Sequence, residues 1–143
     1  MLFLSSPLLI RPTIWASKTT MTICDDLFGR SHHRSNKANA FRHALWNVLI
    51  CQKTLKKTKN KKKSIIWTKK VTDLYEKMTQ NEILEQNMDL HNNEVGRMLF
   101  FDLFDQNEAT IIDFLNKKSQ NAIKLAKTES VHNYKDQLVY LEE

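Results

Sequence analysis

The chain has few of the residues that punctuate structure: its 143 residues include two glycines, two prolines and two cysteines. All-β folds need many tight turns and use glycine to make them, so this scarcity argues against them and for long helices. Cys24 and Cys51 are too few for a disulfide scaffold, or for a structural zinc site by themselves. A reducing compartment is therefore expected, with the cytoplasm as the default location. Long apolar runs are missing too. Met1 to Ile10 is apolar but too short to span a bilayer, and it lacks the basic start of a secretion signal. Residues 1–11 are read as a separate segment, a docking strand or the remnant of a membrane-proximal stretch, which admits a membrane-peripheral placement. A stable transmembrane span is not expected.

Hydrophobic residues at 41% and charged residues at 27% describe an ordinary globular chain, and the length suits one core. Residues 12–143 are accordingly read as a single helical domain. The net charge of +6 is local: seven lysines stand between Lys53 and Lys63, and without them the balance falls to −1. No aromatic residue is interleaved there, which speaks against a base-stacking platform. The run reads as a solvated linker or helix end, with weak attraction for nucleic acid or an anionic surface as its functional alternative.

Periodicity supports an all-α architecture, a compact orthogonal bundle of about five helices with a central buried helix. A first helix starts at Pro12, buries Ile14, Met21, Cys24 and Phe28, and stops at Gly29. A polar connection follows, in which His32 and His33 are expected to be exposed. The second helix begins near Asn39 as its cap. Phe41, Leu45 and Val48 share one face of it, and Asn39, His43, Trp46 and Ile50 the other. Apolar groups on both sides imply burial nearly all round, which brings His43 inside. Ser64 caps a third helix with Trp67, Val71, Leu74, Tyr75 and Met78 inward, while Asp73 and Glu76 read most simply as a solvated face. A turn over Asn81–Asn87 leads to a fourth helix. Asn107–Lys127 forms the fifth, with Ile111, Phe114, Leu115, Ala122 and Leu125 inward. Leu138–Leu141 is a short extended tail, and His132 is expected on the surface.

The densest chemistry lies in Met88–Arg97, where Asp89, His91, Asn92, Asn93 and Glu94 fall within six positions. Asn and Asp compete with the helical backbone for hydrogen bonds, so a helix carrying this many has a reason to keep them. Asp89 reads as a helix cap or as a ligand. In one continuous helix Asp89 and Asn93 share a side with Gly96, whereas His91 points about 160° away. Gly96 reads as a point of close helix approach, and Arg97 as an ion-pair partner of Asp89 or Glu94.

The blocks Asn39–Asn47, Thr72–Glu76 and Met88–Arg97 resemble an uncharacterised bacterial domain family. Similar domains occur as short stand-alone proteins, notably in Bacteroidetes, and as C-terminal modules of Rhs-type polymorphic toxins. The resemblance runs from about Pro12 to Tyr140. Relatives tend to read Thr-Asp-x-His-Glu in the middle block, so Thr72, Asp73 and Glu76 match while Tyr75 replaces a histidine.

Three readings follow. The first is a metal-assisted hydrolase of toxin-related type acting on a phosphodiester or similar bond, with His43, Glu76, Asp89 and His91 as catalytic candidates, ligands or bases. His43, Asp89 and His91 are its candidate ligands for a divalent metal. The second is an anion-binding module using Arg42, Arg97, Asn92 and Asn93, with Asn47 beside them. The third is a non-catalytic buried polar network that fixes helix packing.

Overall fold

The computed structural model describes residues 5–79 and 82–143. Five helices form a bundle: α1 (Ile10–Phe28), α2 (Lys37–Thr58), α3 (Lys61–Thr79), α4 (Ile83–Leu103) and α5 (Glu108–Gln120). Two short strands follow, β1 (Ile123–Lys124) and β2 (Val139–Tyr140), paired in parallel with Ile123 opposite Val139. Short 3₁₀ turns cover Pro7–Leu9, Ser31–His33 and Val131–Tyr134.

α2 is the central helix and packs against α1, α3, α4 and α5. Phe41, Leu45, Val48, Leu49 and Ile50 are fully enclosed, and His43 lies among them. Its cap is Asn36, whose Oδ1 accepts from Asn39 N at 3.0 Å, so the cap lies three residues before the expected one. Asn39 instead donates its side-chain amide to His32 O, tying the α1–α2 connection down. α1 ends as expected at Gly29, in the left-handed region at φ 60°, with its N–H on Asp25 O.

Of the two expected settings for the lysine run, linker and helix end, the structure shows the helix end. Its first three lysines lie in α2, Lys59 ends that helix in the left-handed conformation, and Asn60 caps α3 by accepting from Lys63 N at 2.9 Å. Two of the lysines lie over aromatic rings, Lys53 over Trp15 and Lys61 over Phe104.

Two helix faces differ from expectation for one physical reason. α1 buries Thr13, Ala16, Thr20, Ile23 and Cys24, leaving Ile14 and Met21 exposed. α3 buries Ser64, Trp67, Thr68, Val71, Thr72 and Glu76, leaving Leu74, Tyr75 and Met78 exposed. Ser64 is thus an interior residue and not the cap. Thr13, Thr20, Thr68 and Thr72 each donate to a carbonyl one turn back, so their hydroxyls go into the core already satisfied. The indoles of Trp46 and Trp67 reach across to α1, donating to Ser17 Oγ and Thr13 Oγ1 at 2.8 Å.

α4 is continuous through the polar block and is capped by Glu82, which places Asp89 inside the helix and excludes it as the cap. Of the turn expected before it, Asn81 lies outside the described residues, and the rest is helix from Ile83. Gly96 meets α2 closely: a Cβ there would stand 2.7 Å from Ala44 O. α5 ends at Gln120, earlier than expected, with Phe114 exposed, and the chain turns into β1. The extended tail forms β2.

Candidate functional site

The site lies where α2, α3 and α4 meet, and each helix contributes polar side chains one turn apart. α2 brings His43 and Asn47, α3 brings Thr72 and Glu76, and α4 brings Asp89, Asn93 and Arg97. Residues four apart stack on one helix face, so three ladders converge on one buried volume. All seven residues are at most 6% exposed.

The hydrogen-bond roles follow from Arg97, which carries donors only. It donates to Asn47 Oδ1 at 3.0 Å and to Thr72 Oγ1 at 3.1 Å. With that oxygen fixed as an acceptor, Asn47 Nδ2 donates to His43 O and, at 2.8 Å, to Asn93 Oδ1. Asn93 Oδ1 is therefore an acceptor as well, so His43 Nδ1, 2.9 Å away, carries the proton. Asn93 Nδ2 completes the amide by donating to Glu76 Oε1 at 3.3 Å. In the neutral ring His43 Nε2 is left with its lone pair, 3.3 Å from Asp89 Oδ1 and 3.4 Å from Arg42 Nη2.

Burial fixes the charges. It pushes His43 below its ordinary value, more than Asp89 raises it, which favours the neutral imidazole. It pushes Glu76 up to about 8, and the Asp89 carboxylate adds to that effect, so Glu76 keeps its proton at neutral pH and hydrogen-bonds to Asp89. One donor atom each from His43, Glu76 and Asp89 lie within 4.8 Å of one another.

Beside this cluster opens a pocket of about 170 Å³, lined by Arg42, His43, Trp46, Tyr75, His33 and Met21 among others. Trp46 and Tyr75 meet edge to face at 5.2 Å and form its aromatic wall. Across Arg42 stands a second group, Asp25, His32 and His33. His32 is fully buried, contrary to expectation, because its Nε2 binds Asp25 Oδ1 at 2.7 Å. His33 is exposed as expected.

The other candidates are used elsewhere. His91 Nε2 donates to Gln137 O at 2.8 Å and stands apart from the cluster, as the angular argument for a continuous helix requires. Asn92 donates to Val139 O and accepts from Val139 N, both at 2.9 Å, so its amide pairs with β2 as a neighbouring strand would. Arg97 forms no ion pair with Asp89 or Glu94 among the described residues; it holds Asn47 and Thr72 instead. Arg42, Arg97, Asn92 and Asn93 thus do not share one anion site. A larger surface cleft, about 350 Å³, is lined by His91, Arg97, Asp73 and Glu129 among others, away from the His43 cluster.

Sequence reasoning missed Thr72, Asp25 and His32. The repeated four-residue spacing of polar groups in all three helices was the signal for Thr72. Nothing local marks the Asp25–His32 pair, since its members sit on either side of a turn.

The chain belongs to the family described as Domain of unknown function (DUF6973), which matches residues 1–123. No curated protein and no solved structure matches it. No helix among the described residues is long and apolar enough to cross a membrane.

Proposed function

We propose that His43, Asp89 and Glu76 form the divalent-metal centre of a hydrolase, with the Trp46–Tyr75 pocket receiving the substrate. One observation carries this reading: His43 Nε2 and Asp89 Oδ1, two lone-pair atoms, face each other at 3.3 Å. Arg42 Nη2, 3.4 Å from the ring nitrogen, and the Glu76 proton on Asp89 are the donors present; a cation would take their place between the two atoms. Ligand atoms about 2.1 Å from a tetrahedral ion lie about 3.4 Å apart, so the spacing suits a metal. Asn93 acts as a positioning residue, holding the ring by Nδ1 so that Nε2 aims inward. A bound cation would lower the pKa of its water and polarise a scissile bond. Glu76 would give up its proton on joining the ligand set, which makes binding stronger as pH rises towards about 8. Tyr75 stands on the pocket wall, so replacing the histidine of the resembling family alters that wall and leaves the three-residue cluster complete. The resemblance to toxin modules agrees with a degradative activity. The lysines of the α2–α3 hairpin would add weak attraction for anionic surfaces.

The second reading, a purely structural network, is favoured by the enclosure of His43, which is 1% exposed. A panel of p-nitrophenyl carboxylic and phosphoric esters, assayed with Mg²⁺, Mn²⁺ or Zn²⁺, separates the two. Turnover that is lost on chelation and in Asp89→Asn supports the hydrolase; a chain inactive on every ester with every metal supports the network.

A further inference from the structure

The charge balance around Arg42 bears on what the pocket holds. This arginine is half-buried, and its side-chain contacts are three imidazole nitrogens: His32 Nδ1 at 3.4 Å, His33 Nδ1 at 3.2 Å and His43 Nε2 at 3.4 Å. It forms no ion pair with a carboxylate among the described residues. A half-buried guanidinium without a direct anionic partner is costly, and Asp25 reaches its charge only through the His32 ring. Since Arg42 only donates, the Nδ1 atoms of His32 and His33 accept, so the neutral His33 ring carries its hydrogen on Nε2. His33 lines the pocket together with Arg42 and His43.

A cation at His43 would sharpen the imbalance. The two carboxylates cancel a divalent ion, and Arg42, whose charge Asp25 meets only through the His32 ring, lies directly beside the ligating nitrogen. Metal and arginine then repel each other unless an anion lies between them. Resting on the metal-centre reading, we infer that the pocket takes a phosphate-type oxyanion that bridges the bound cation and Arg42, so that the substrate is a phosphoester. The cation would face it from His43, and Arg42 and His33, both donors, line the same pocket. A tetrahedral group offers oxygens towards all three, whereas a carboxylate offers two in one plane. Met21, Trp46 and Tyr75 supply apolar surface for the organic part of the ester. Tyr75 and His33 are exposed, so a larger leaving group extends past them into solvent.

The test measures Mn²⁺ binding to the full chain by titration calorimetry, alone and with inorganic phosphate or acetate. Ligands that relieve each other's charge bind cooperatively, and coupling of this kind is typically about 5–150-fold. The expected result is that phosphate tightens Mn²⁺ binding within that range and acetate does so far less. In Arg42→Gln the coupling disappears, while Mn²⁺ alone binds at least as tightly as in the parent chain. Should Arg42→Gln fail to fold, Arg42→Lys keeps the charge without the fork and is expected to weaken the coupling. Mn²⁺ binding that is indifferent to phosphate overturns the bridging anion and leaves the metal centre standing. Acetate coupling equal to phosphate overturns the phosphoester assignment. Absence of Mn²⁺ binding under every condition overturns the metal centre itself.

Discussion

Asn93 is the residue on which the site turns. One amide orients the His43 ring, meets Asn47 and reaches Glu76, and its direction is set from Arg97 through Asn47. That sequence of fixed roles leaves His43 Nε2 and a protonated Glu76 in one enclosure, and it makes stability depend on pH. Glu76 is raised from its ordinary 4.5 to about 8, so folding binds a proton; its contribution is complete below about 4.5 and is lost as pH rises through about 8. His43 is lowered from 6.5, so its contribution is present above 6.5 and is lost on acidification. Between pH 6.5 and about 8 only the Glu76 effect operates, and stability is expected to fall. Glu76→Gln mimics the neutral acid, and its urea midpoint should stay nearly level between those pH values. A variant whose midpoint declines as steeply as that of the parent chain would show that Glu76 is not the titrating group.

At the scale of elements, the close approach of α4 to α2 is what lets the polar ladders meet. Gly96 permits it, since an added Cβ would stand 2.7 Å from Ala44 O and 2.9 Å from Ala44 Cα, both backbone atoms that cannot rotate away. Gly96→Ala is therefore expected to lower stability by about 1–3 kcal/mol or more, through displacement of a helix. Chemical denaturation at fixed pH measures it, and an unchanged midpoint would mean that the two helices are not held this close. Gly96 as a close approach and α2 as the buried centre were legible in the sequence, the first from a glycine inside a helix and the second from apolar groups on both its faces. The inner faces of α1 and α3 were not, because large apolar groups are not always the inward ones. Threonines that satisfy their own hydroxyls are as buriable as valine, and the positions next to the site must be polar. Glu76 was legible as a site candidate yet looked solvent-facing, since its burial depends on Asn93 and Asp89, which come from another helix.

For the molecule as a whole, the family match ends at residue 123, yet two buried residues of α4 lie against the segment beyond it: Asn92 pairs with Val139 and His91 with Gln137. That explains why the Met88–Arg97 block is so polar while only part of it reaches the site. Opposite faces of α4 serve two masters, the His43 cluster on one side and the C-terminal strand on the other. The charge distribution was legible in the sequence, although its setting, a helical hairpin and not a linker, depended on Lys59 taking a left-handed cap. Whether the His43 cluster holds a metal is decided most directly by stoichiometry. The chelator-treated chain is dialysed against Zn²⁺ or Mn²⁺ near pH 7.5 and analysed for metal, beside His43→Gln shown by circular dichroism to be folded. The expected result is about one ion per parent chain and none in the variant. A parent chain that retains no ion, or a variant that retains as much as the parent, would contradict the metal centre.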